Sequence, residues 1–535
     1  MLWGALAGSA LAMPFLAESL EMLAWVASVP LLLLLACGRS GRGVTIALSA
    51  GLAFVATGLW WLCRLSPAAV GIATLLFGAY FVAFAIIPWV RHRIPALPLW
   101  SYVPLLWAFG ESLPARVTPY PTTWLNIGYT QAQVLPLAQL AEWTGVSGVT
   151  LLVLLANSAL ADALLAWGRG RGWAAGEAWP SRRALLWGLG LAIGLPTVAG
   201  AWGALRLVQV RATLRAGPRL LLVQGNITPA DATPGNAARV LAKLVRLSGA
   251  ARDTAADLVV WPETAPIRPE HPDDLEAARS IGATLSRPLL LGGTGMPRVE
   301  GERRHSNSAF LLSPDGKPLV RYDKQVLVPF GETVPFVDGI PALRRRVEEY
   351  VWNRYGFLPL LQAGTESTLF PLEHAGRTLK FGVLICYEDV LPSLVENFAR
   401  RGADFFVVIS NENFFYPREM DQHLDMAVFR AIETRRPVVR ATNTGLTAAI
   451  DPTGAITARL ERDTEGTLDV VVPLSSGLPL RRTVRLFGLS CGVALALLLA
   501  AALVRRPPAS GATIQPNAPA RRREQPRSKP RRRAR

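Results

Sequence analysis

Two hydrophobic patterns divide the chain. Up to about residue 210, and again near 485–504, apolar residues run on for membrane-span lengths with few charges between them. In the middle, roughly 218–473, apolar runs are short and alternate with helical patterns. A helix needs about 20 apolar residues to cross a bilayer. Seven candidate spans precede the middle segment, at roughly 3–17, 20–36, 44–63, 69–90, 94–110, 143–167 and 184–205, and an eighth covers 485–504. The first is short and carries Pro14. It lacks the basic start of a signal peptide, and a second span follows at once. The pattern predicts a polytopic α-helical membrane block over 1–210 (about seven spans), an α/β domain over 218–473, a transmembrane helix at 485–504 and a tail from 505 to 535.

Within the middle segment, "RLLLVQGNI", "ADLVVWPET", "RPLLLGGTG", "SNSAFLLSPDG", "LKFGVLICYED", "ADFFVVISNEN" and "PVVRATNTG" read as buried strands. "NAARVLAKLVRLSGAARDTAA", "DDLEAARSIGATLS", "PSLVENFARRGA" and "DQHLDMAVFRAIETR" read as helices packed between them. Strands that are apolar throughout imply a sheet covered on both faces, as in layered α/β folds. "SPDGK" and "DPTGA" carry turn chemistry and predict hairpins. In such folds functional side chains gather where strands end.

Charge gives the orientation. Arg39 and Arg42 follow the second span, Arg91 and Arg93 the fourth, and Arg169, Arg171, Arg182 and Arg183 separate the sixth from the seventh. The alternate loops hold only Arg64 and Arg116. Basic loops stay in the cytoplasm, which predicts 218–473 outside it and both termini inside. The net charge of +17 resembles a nucleic-acid signal, but eleven basic residues and one acid lie between Arg505 and Arg535, a net +10 that leaves +7 for the rest. A Pro- and Arg-rich tail cannot build a core. It reads as a disordered cytoplasmic anchor that touches anionic lipid, and it lacks the interleaved aromatics of a nucleic-acid binder.

The chain has four cysteines, at 37, 63, 386 and 491. Only Cys386, in "FGVLICYEDV", lies in a stretch that folds in water, and it has no obvious disulfide partner. Outside the cytoplasm thiols tend to be oxidised, so an unpaired one calls for a function. Glu263 in "VVWPETAP", Lys324 and Glu332 in "RYDKQVLVPFGE", and Cys386 and Glu388 in "VLICYED" follow or flank apolar strands. Taken singly, Glu263 reads as a helix cap, Lys324 as a solvated lysine and Cys386 as a small core residue. Together, thiol, carboxylate and ammonium make a workable acyl-transfer site: the carboxylate takes the thiol proton, and the lysine offsets charge on a tetrahedral intermediate. No cofactor motif is read, and His423 lacks metal-ligand spacing.

At these residues the chain resembles the nitrilase-type carbon–nitrogen hydrolases, whose Glu-Lys-Cys triad falls on Glu263, Lys324 and Cys386. Seven spans, such a domain and one further span resemble the bacterial apolipoprotein N-acyltransferase family. "LVVWPET", "LVPFGE", "ICYED", "RAIE", "RATNTG", "GYTQ" and "LAQLAEWTGVSGVTLLVLLAN" match its motifs. The resemblance implies a four-layer α-β-β-α sandwich in the periplasm, anchored in the bacterial inner membrane. It implies a monomer with a phospholipid acyl donor, a diacylglyceryl-apolipoprotein acceptor, and no cofactor or nucleic acid. Glu263 would be the base, Cys386 the nucleophile, and Lys324 with the Tyr387 backbone N–H the oxyanion support. Glu332 and Glu388 would orient the lysine and the loop, with His423, Arg430 and Glu433 as framework.

The chain departs from the family pattern in loops. The family's Lys-Trp after the first strand is absent from "QGNITPADATPGN", Val326 and Thr333 replace His and Tyr, and "NENFFY" replaces "NDAWFG". A lid role is expected to pass to Phe414, Phe415 and Tyr416, or to Tyr350 and Trp352. Trp124, Tyr120 and Tyr129, in the polar segment 111–142, are expected at the outer interface, as anchors or as part of a lipid entrance, the anchor reading being the safer. Two other readings compete. A membrane-tethered amidase or nitrilase would need at most one span. A transporter with an inert hydrolase-like domain would need ionisable residues in its spans, and the clearest here are Glu142 and Asp162 near one span's ends.

Overall fold

Two six-stranded sheets of matching topology carry the middle of the chain. The first has the order β12-β1-β2-β3-β4-β5, from β1 (Leu214–Gln224), β2 (Leu258–Val260), β3 (Leu289–Gly295), β4 (Ser306–Leu312), β5 (Pro318–Asp323) and β12 (Gly466–Ser475). The second has the order β11-β10-β9-β8-β7-β6, from β6 (Leu369–His374), β7 (Arg377–Ile385), β8 (Phe405–Ser410), β9 (Val438–Thr442), β10 (Ala448–Ile450) and β11 (Ile456–Arg459). In each, three adjacent strands are parallel (β1-β2-β3 and β7-β8-β9) and the outer pairings are antiparallel. This is a computed structural model, and it describes the chain apart from residues 39, 65–66, 118–120, 170–178, 251–253, 300–301, 330, 334–339, 356–359, 476–482 and 505–535. Arg39, Tyr120, Arg171 and the basic tail therefore lie outside the described residues, as do the side chains of Tyr350 and Trp352.

Strand periodicity explains the layers. Successive side chains point to opposite faces. Leu220 and Leu222 of β1, with Leu258 and Val260 of β2, belong to the core shared with the second sheet. Leu221, Val223 and Val259 turn outward to meet Val240, Leu244 and Ile281 of the helices Ala237–Ser248 and Leu275–Leu285. The second sheet is covered in turn by the helices Pro392–Arg400 and Pro417–Thr434. The four layers are those expected of the sandwich. "SPDGK" turns β4 into β5, and "DPTGA" turns β10 into β11.

Among the described residues, five helical segments are long and apolar enough to cross a membrane: Glu18–Cys37, Ala69–Arg93, Val146–Arg169, Arg182–Thr213 and Leu486–Val504. Leu2–Phe15 and Gly43–Gly58 are shorter apolar helices. The expected span 94–110 holds the 14-residue helix Leu99–Ser112, which is shorter than the ~20 residues a membrane crossing needs. Arg182–Thr213 spans 32 residues, about 48 Å at 1.5 Å per residue, and runs directly into β1. Segment 111–142 departs from expectation. Trp124 and Tyr129 are buried, not set in an interface belt. Trp124 donates to Gln422 Oε1 at 2.6 Å, and Thr123 donates to the Val390 carbonyl at 2.7 Å. The segment is a joint between the apolar helices and the sandwich. Glu142 belongs to the same joint, pairing with Arg206 at 2.7 Å and Arg435 at 2.8 Å. Asp162 accepts from the Trp100 backbone N–H at 3.1 Å. Both acids are thus engaged in structural contacts.

Candidate active site

β7 ends at Ile385, and a helical turn, Cys386–Val390, begins on the next residue. Cys386 sits at that corner with φ +52°. A non-glycine residue in this left-handed region is strained by about 1–3 kcal/mol and persists only where its surroundings hold it. Glu388 supplies much of the hold. One carboxylate oxygen accepts from Tyr322 Oη at 2.8 Å and the backbone N–H groups of Gln325 at 2.7 Å and Val326 at 3.2 Å. The other accepts from the Ile385 N–H at 2.9 Å. One side chain therefore ties the cysteine corner to the loop that follows β5.

Lys324 stands on that loop, immediately after β5, and Glu263 follows β2. All three predicted triad residues are buried: Cys386 is 8% exposed, Glu263 6% and Lys324 1%. Lys324 Nζ lies 2.8 Å from Glu332 and 3.6 Å from Glu263. Asn307 donates to Glu263 at 2.6 Å and to Glu332 at 2.7 Å, bridging the two acids. The other Glu263 oxygen accepts from the Asn411 backbone N–H at 2.7 Å, just past β8. Thr264, next to the acid, also has positive φ, +64°. β3 must pass close beneath this turn: a Cβ on Gly292 would lie 2.6 Å from Glu263 Cα, so only glycine fits.

Electrostatics follow from burial. Burial opposes the Lys324 charge, but Glu332 and Glu263 outweigh it and raise its pKa, so the ammonium persists. Burial, with the Glu263 charge beside it, pushes the Cys386 thiol up. Burial also raises Glu263, against the pull of Lys324. A protonated thiol beside a carboxylate of raised basicity is a nucleophile–base pair, and the lysine is a fixed positive charge within it.

Burial pushes the Glu388 carboxyl up to about 7 from its ordinary 4.5, against its hydrogen-bond donors. The folded protein thus holds this proton more tightly than the unfolded chain does. The stabilisation is full below pH 4.5 and is lost as the pH rises through about 7. Glu388→Gln removes the titration, and with it up to ~3 kcal/mol of pH-dependent stability across that window. Unfolding midpoints in detergent should fall less steeply with pH in the variant than in the parent. Equal slopes would show that Glu388 does not titrate there.

A second charged cluster, read from sequence only as framework, lies directly behind the site. His423 Nε2 is 2.5 Å from Asp389 and its Nδ1 is 2.7 Å from Glu412. Both ring nitrogens face carboxylates, the arrangement of an imidazolium. Arg440 also pairs with Asp389, and with Glu412 at 2.7 Å. All four are fully buried. Asp389 is three residues past the cysteine, and Glu412 directly follows Asn411, so the cluster ties the nucleophile's turn to the base's support. Burial opposes both charges, yet His423 and Arg440 hold Asp389 low, and Asp389 holds His423 high. Arg430 and Glu433 pair separately at 2.9 Å and brace Tyr129.

Glu263, Lys324, Cys386, Glu332 and Tyr387 line one cavity of about 490 Å³. Apolar segments complete its lining: Leu59, Trp61 and the helix Pro67–Gly78, through Ile72, Ala73, Leu76 and Phe77. Phe414 is exposed and Phe415 also lines the cavity. Phe415 is wedged between Trp61 at 5.0 Å and Trp124 at 5.8 Å, while Tyr416 stacks on Trp60 at 4.6 Å. Of Phe414, Phe415 and Tyr416, Phe414 is therefore the unpacked one. The Asn307 bridge and the His423 cluster escaped sequence reasoning.

Two sheets of this topology, with carboxylate, ammonium and thiol at strand ends, define a carbon–nitrogen hydrolase fold joined to apolar helices. Residues 219–482 match the carbon-nitrogen hydrolase family model, and residues 7–159 match that of the apolipoprotein N-acyltransferase N-terminal domain. An apolipoprotein N-acyltransferase of Geobacter metallireducens is 32% identical over 499 residues, covering 89% of this chain and 90% of the relative. One from Chlorobaculum tepidum is 28% identical, covering 86% and 87%. A solved amidase from Nesterenkonia sp. is 20% identical, with TM-score 0.36, covering 48% of this chain and 91% of its own. The chain belongs to the apolipoprotein N-acyltransferase family.

Proposed function

We propose that the chain moves an acyl group from a membrane phospholipid to the α-amino group of an apolipoprotein's N-terminal S-diacylglyceryl-cysteine, with Cys386 as carrier. One observation carries this reading. A single cavity is lined both by the thiol, carboxylate and ammonium and by apolar helix side chains. An acyl ester needs both. Glu263 accepts the Cys386 proton as sulfur attacks the ester carbonyl. Lys324 and the Tyr387 N–H, which has no partner within its own turn, receive the oxyanion. Collapse expels the lysophospholipid, which takes the proton from Glu263 and leaves a thioester. The acceptor amine then attacks, gives its proton to Glu263, and the thiolate leaves and is reprotonated. Glu332 holds Lys324, and Glu388 holds the loop. A covalent carrier implies ping-pong kinetics.

The proposed organisation is a membrane block over 1–210, a periplasmic catalytic domain over 218–473, a helix at 485–504 and a cytoplasmic tail, in the bacterial inner membrane. All reacting side chains come from one chain, which suits a monomer. Alkaline phosphatase fused at Asp315 should be active, and fused after Arg506 inactive. The reverse pattern would overturn this topology. To test the reaction, protein in phospholipid without acceptor should release one equivalent of lysophospholipid and stop. Adding a diacylglyceryl lipopeptide should restart release and yield the triacylated product. Continuous release of free fatty acid with the lipopeptide untouched would favour a hydrolase.

A further inference from the structure

A second cavity of about 80 Å³ shares part of its wall with the first and is lined by none of the triad residues. Leu59, Phe77, Thr122 and Trp124 wall both cavities. Two of these partition residues are fixed. Trp124 is held by Gln422 and packs on Trp61 at 5.1 Å, and the Thr122 hydroxyl accepts the Trp124 N–H at 3.1 Å. Leu59 and Phe77 are apolar side chains with no polar anchor, so they are the part that can yield. Beyond them the walls are aromatic. Phe54 and Phe81 pack at 5.3 Å, and Phe84 stacks on Trp107 at 4.5 Å. The one carboxylate there, Glu111, is committed to the Ile127 N–H at 2.8 Å, the Thr150 hydroxyl at 2.7 Å and Trp107 Nε1 at 3.1 Å. Gly110 faces the space: the nearest atom to a Cβ built on it is Phe84 Cζ, at 4.0 Å.

We propose that this second cavity is the terminal compartment of the acyl slot. The methyl end of the chain carried on Cys386 passes between Leu59 and Phe77 into it, so Phe77 and Gly110 set the transferred chain's length. The inference rests on the acyl-transfer reading above. Its occupant is the transferred chain, because only that chain begins at the thiol within the adjoining cavity. Small apolar cavities exclude water and accept apolar groups. Each methylene that finds packed walls adds favourable burial, and one that meets a closed wall is rejected.

The test uses the full chain in nanodiscs holding equimolar phospholipids with tetradecanoyl, hexadecanoyl, octadecanoyl and eicosanoyl chains. Thioesters are released with hydroxylamine and weighed by mass spectrometry. Phe77→Ala should raise the octadecanoyl-to-hexadecanoyl ratio roughly fivefold to tenfold, and Gly110→Leu should lower it by a similar factor. Gly110→Ala, a smaller filling, should fall between parent and Gly110→Leu and keeps the test usable if a larger change disrupts folding. Opposite shifts support the compartment, since general loosening would not produce them. Thioester chains of unchanged distribution, or shifts in one direction, would overturn it while leaving acyl transfer standing. A shift confined to the chain retained on the lysophospholipid, or to the acceptor's chains, would also overturn it by naming another occupant. Absence of any thioester in the parent would remove the underlying reading itself.

Discussion

Cys386→Ala should fold as the parent does and transfer no acyl chain. The sulfur contributes little to packing beyond a small apolar volume, so the unfolding midpoint should move by no more than the equivalent of ~1 kcal/mol. Activity toward a lipopeptide acceptor should fall by on the order of 10⁴-fold or more, as when a covalent nucleophile is removed elsewhere. Cys386→Ser should fail almost as completely. A hydroxyl is a far weaker acid than the thiol, and the same burial that raises the thiol would hold its proton harder. The other three cysteines do not line the cavity and cannot substitute. Turnover by the alanine variant within tenfold of the parent would remove Cys386 as the nucleophile.

Glu263→Gln should block the first half-reaction. The amide keeps the size and can still accept from the Asn411 N–H, but it cannot take the thiol proton. Its amide would also put a donor near Asn307 or Lys324, which now point donors at the acid. Lys324 retains Glu332 at 2.8 Å, so its charge stays paired and the fold should survive. Loss of a positioned general base costs typically 10²–10⁴-fold, so acyl-enzyme should form at least ~100-fold more slowly. Quenched-flow samples resolved by mass would show it. Accumulation of thioester at the parental rate would mean that another group is the base.

Much of the sandwich was legible because its central strands are apolar on both faces. "LKFGVLICYED" and "ADFFVVISNEN" can only be strands covered twice, and they became β7 and β8. The strands that escaped, β6 and β12, pair through one partner at a sheet edge, and Pro371 and Pro473 interrupt their apolar runs, so they do not read as central strands. The helix Pro341–Tyr355 escaped because it is rich in charge. The membrane segments were legible in extent but not in form. Expected span 44–63 bends at Leu59 from the helix Gly43–Gly58 into the turn Trp60–Arg64, and 69–90 passes through the tighter turn Ala79–Ala85. Hydropathy registers apolar length and is blind to such bends.

The same limit governs the site. Glu263, Lys324 and Cys386 were readable because each follows an apolar or aromatic anchor at a strand's end. Asn307 was not, because its value lies in meeting two acids from other segments at once. Nor was the His423 cluster, which closes only when Asp389 and Glu412, each just past a strand end, meet Arg440 from the middle of β9. Of the two roles open to Trp124, anchor or lipid entrance, burial rules out the first and its place in the cavity wall fits the second. An aromatic residue in a polar segment between spans has the same local sequence whether it meets headgroups or another domain. Only the folded joint, with Gln422 and Tyr387 against it, separates the two.

The proposed reaction requires a covalent acyl group at one sulfur. Protein purified in phospholipid, without acceptor, should show by intact mass an added acyl chain on a fraction of molecules. Fragmentation should place it on the peptide that contains Cys386, and hydroxylamine should remove it. Adding a diacylglyceryl lipopeptide should remove it as well, with the chain recovered on the peptide's α-amino group. An unmodified Cys386 peptide under conditions where the lipopeptide is nevertheless acylated would contradict the account.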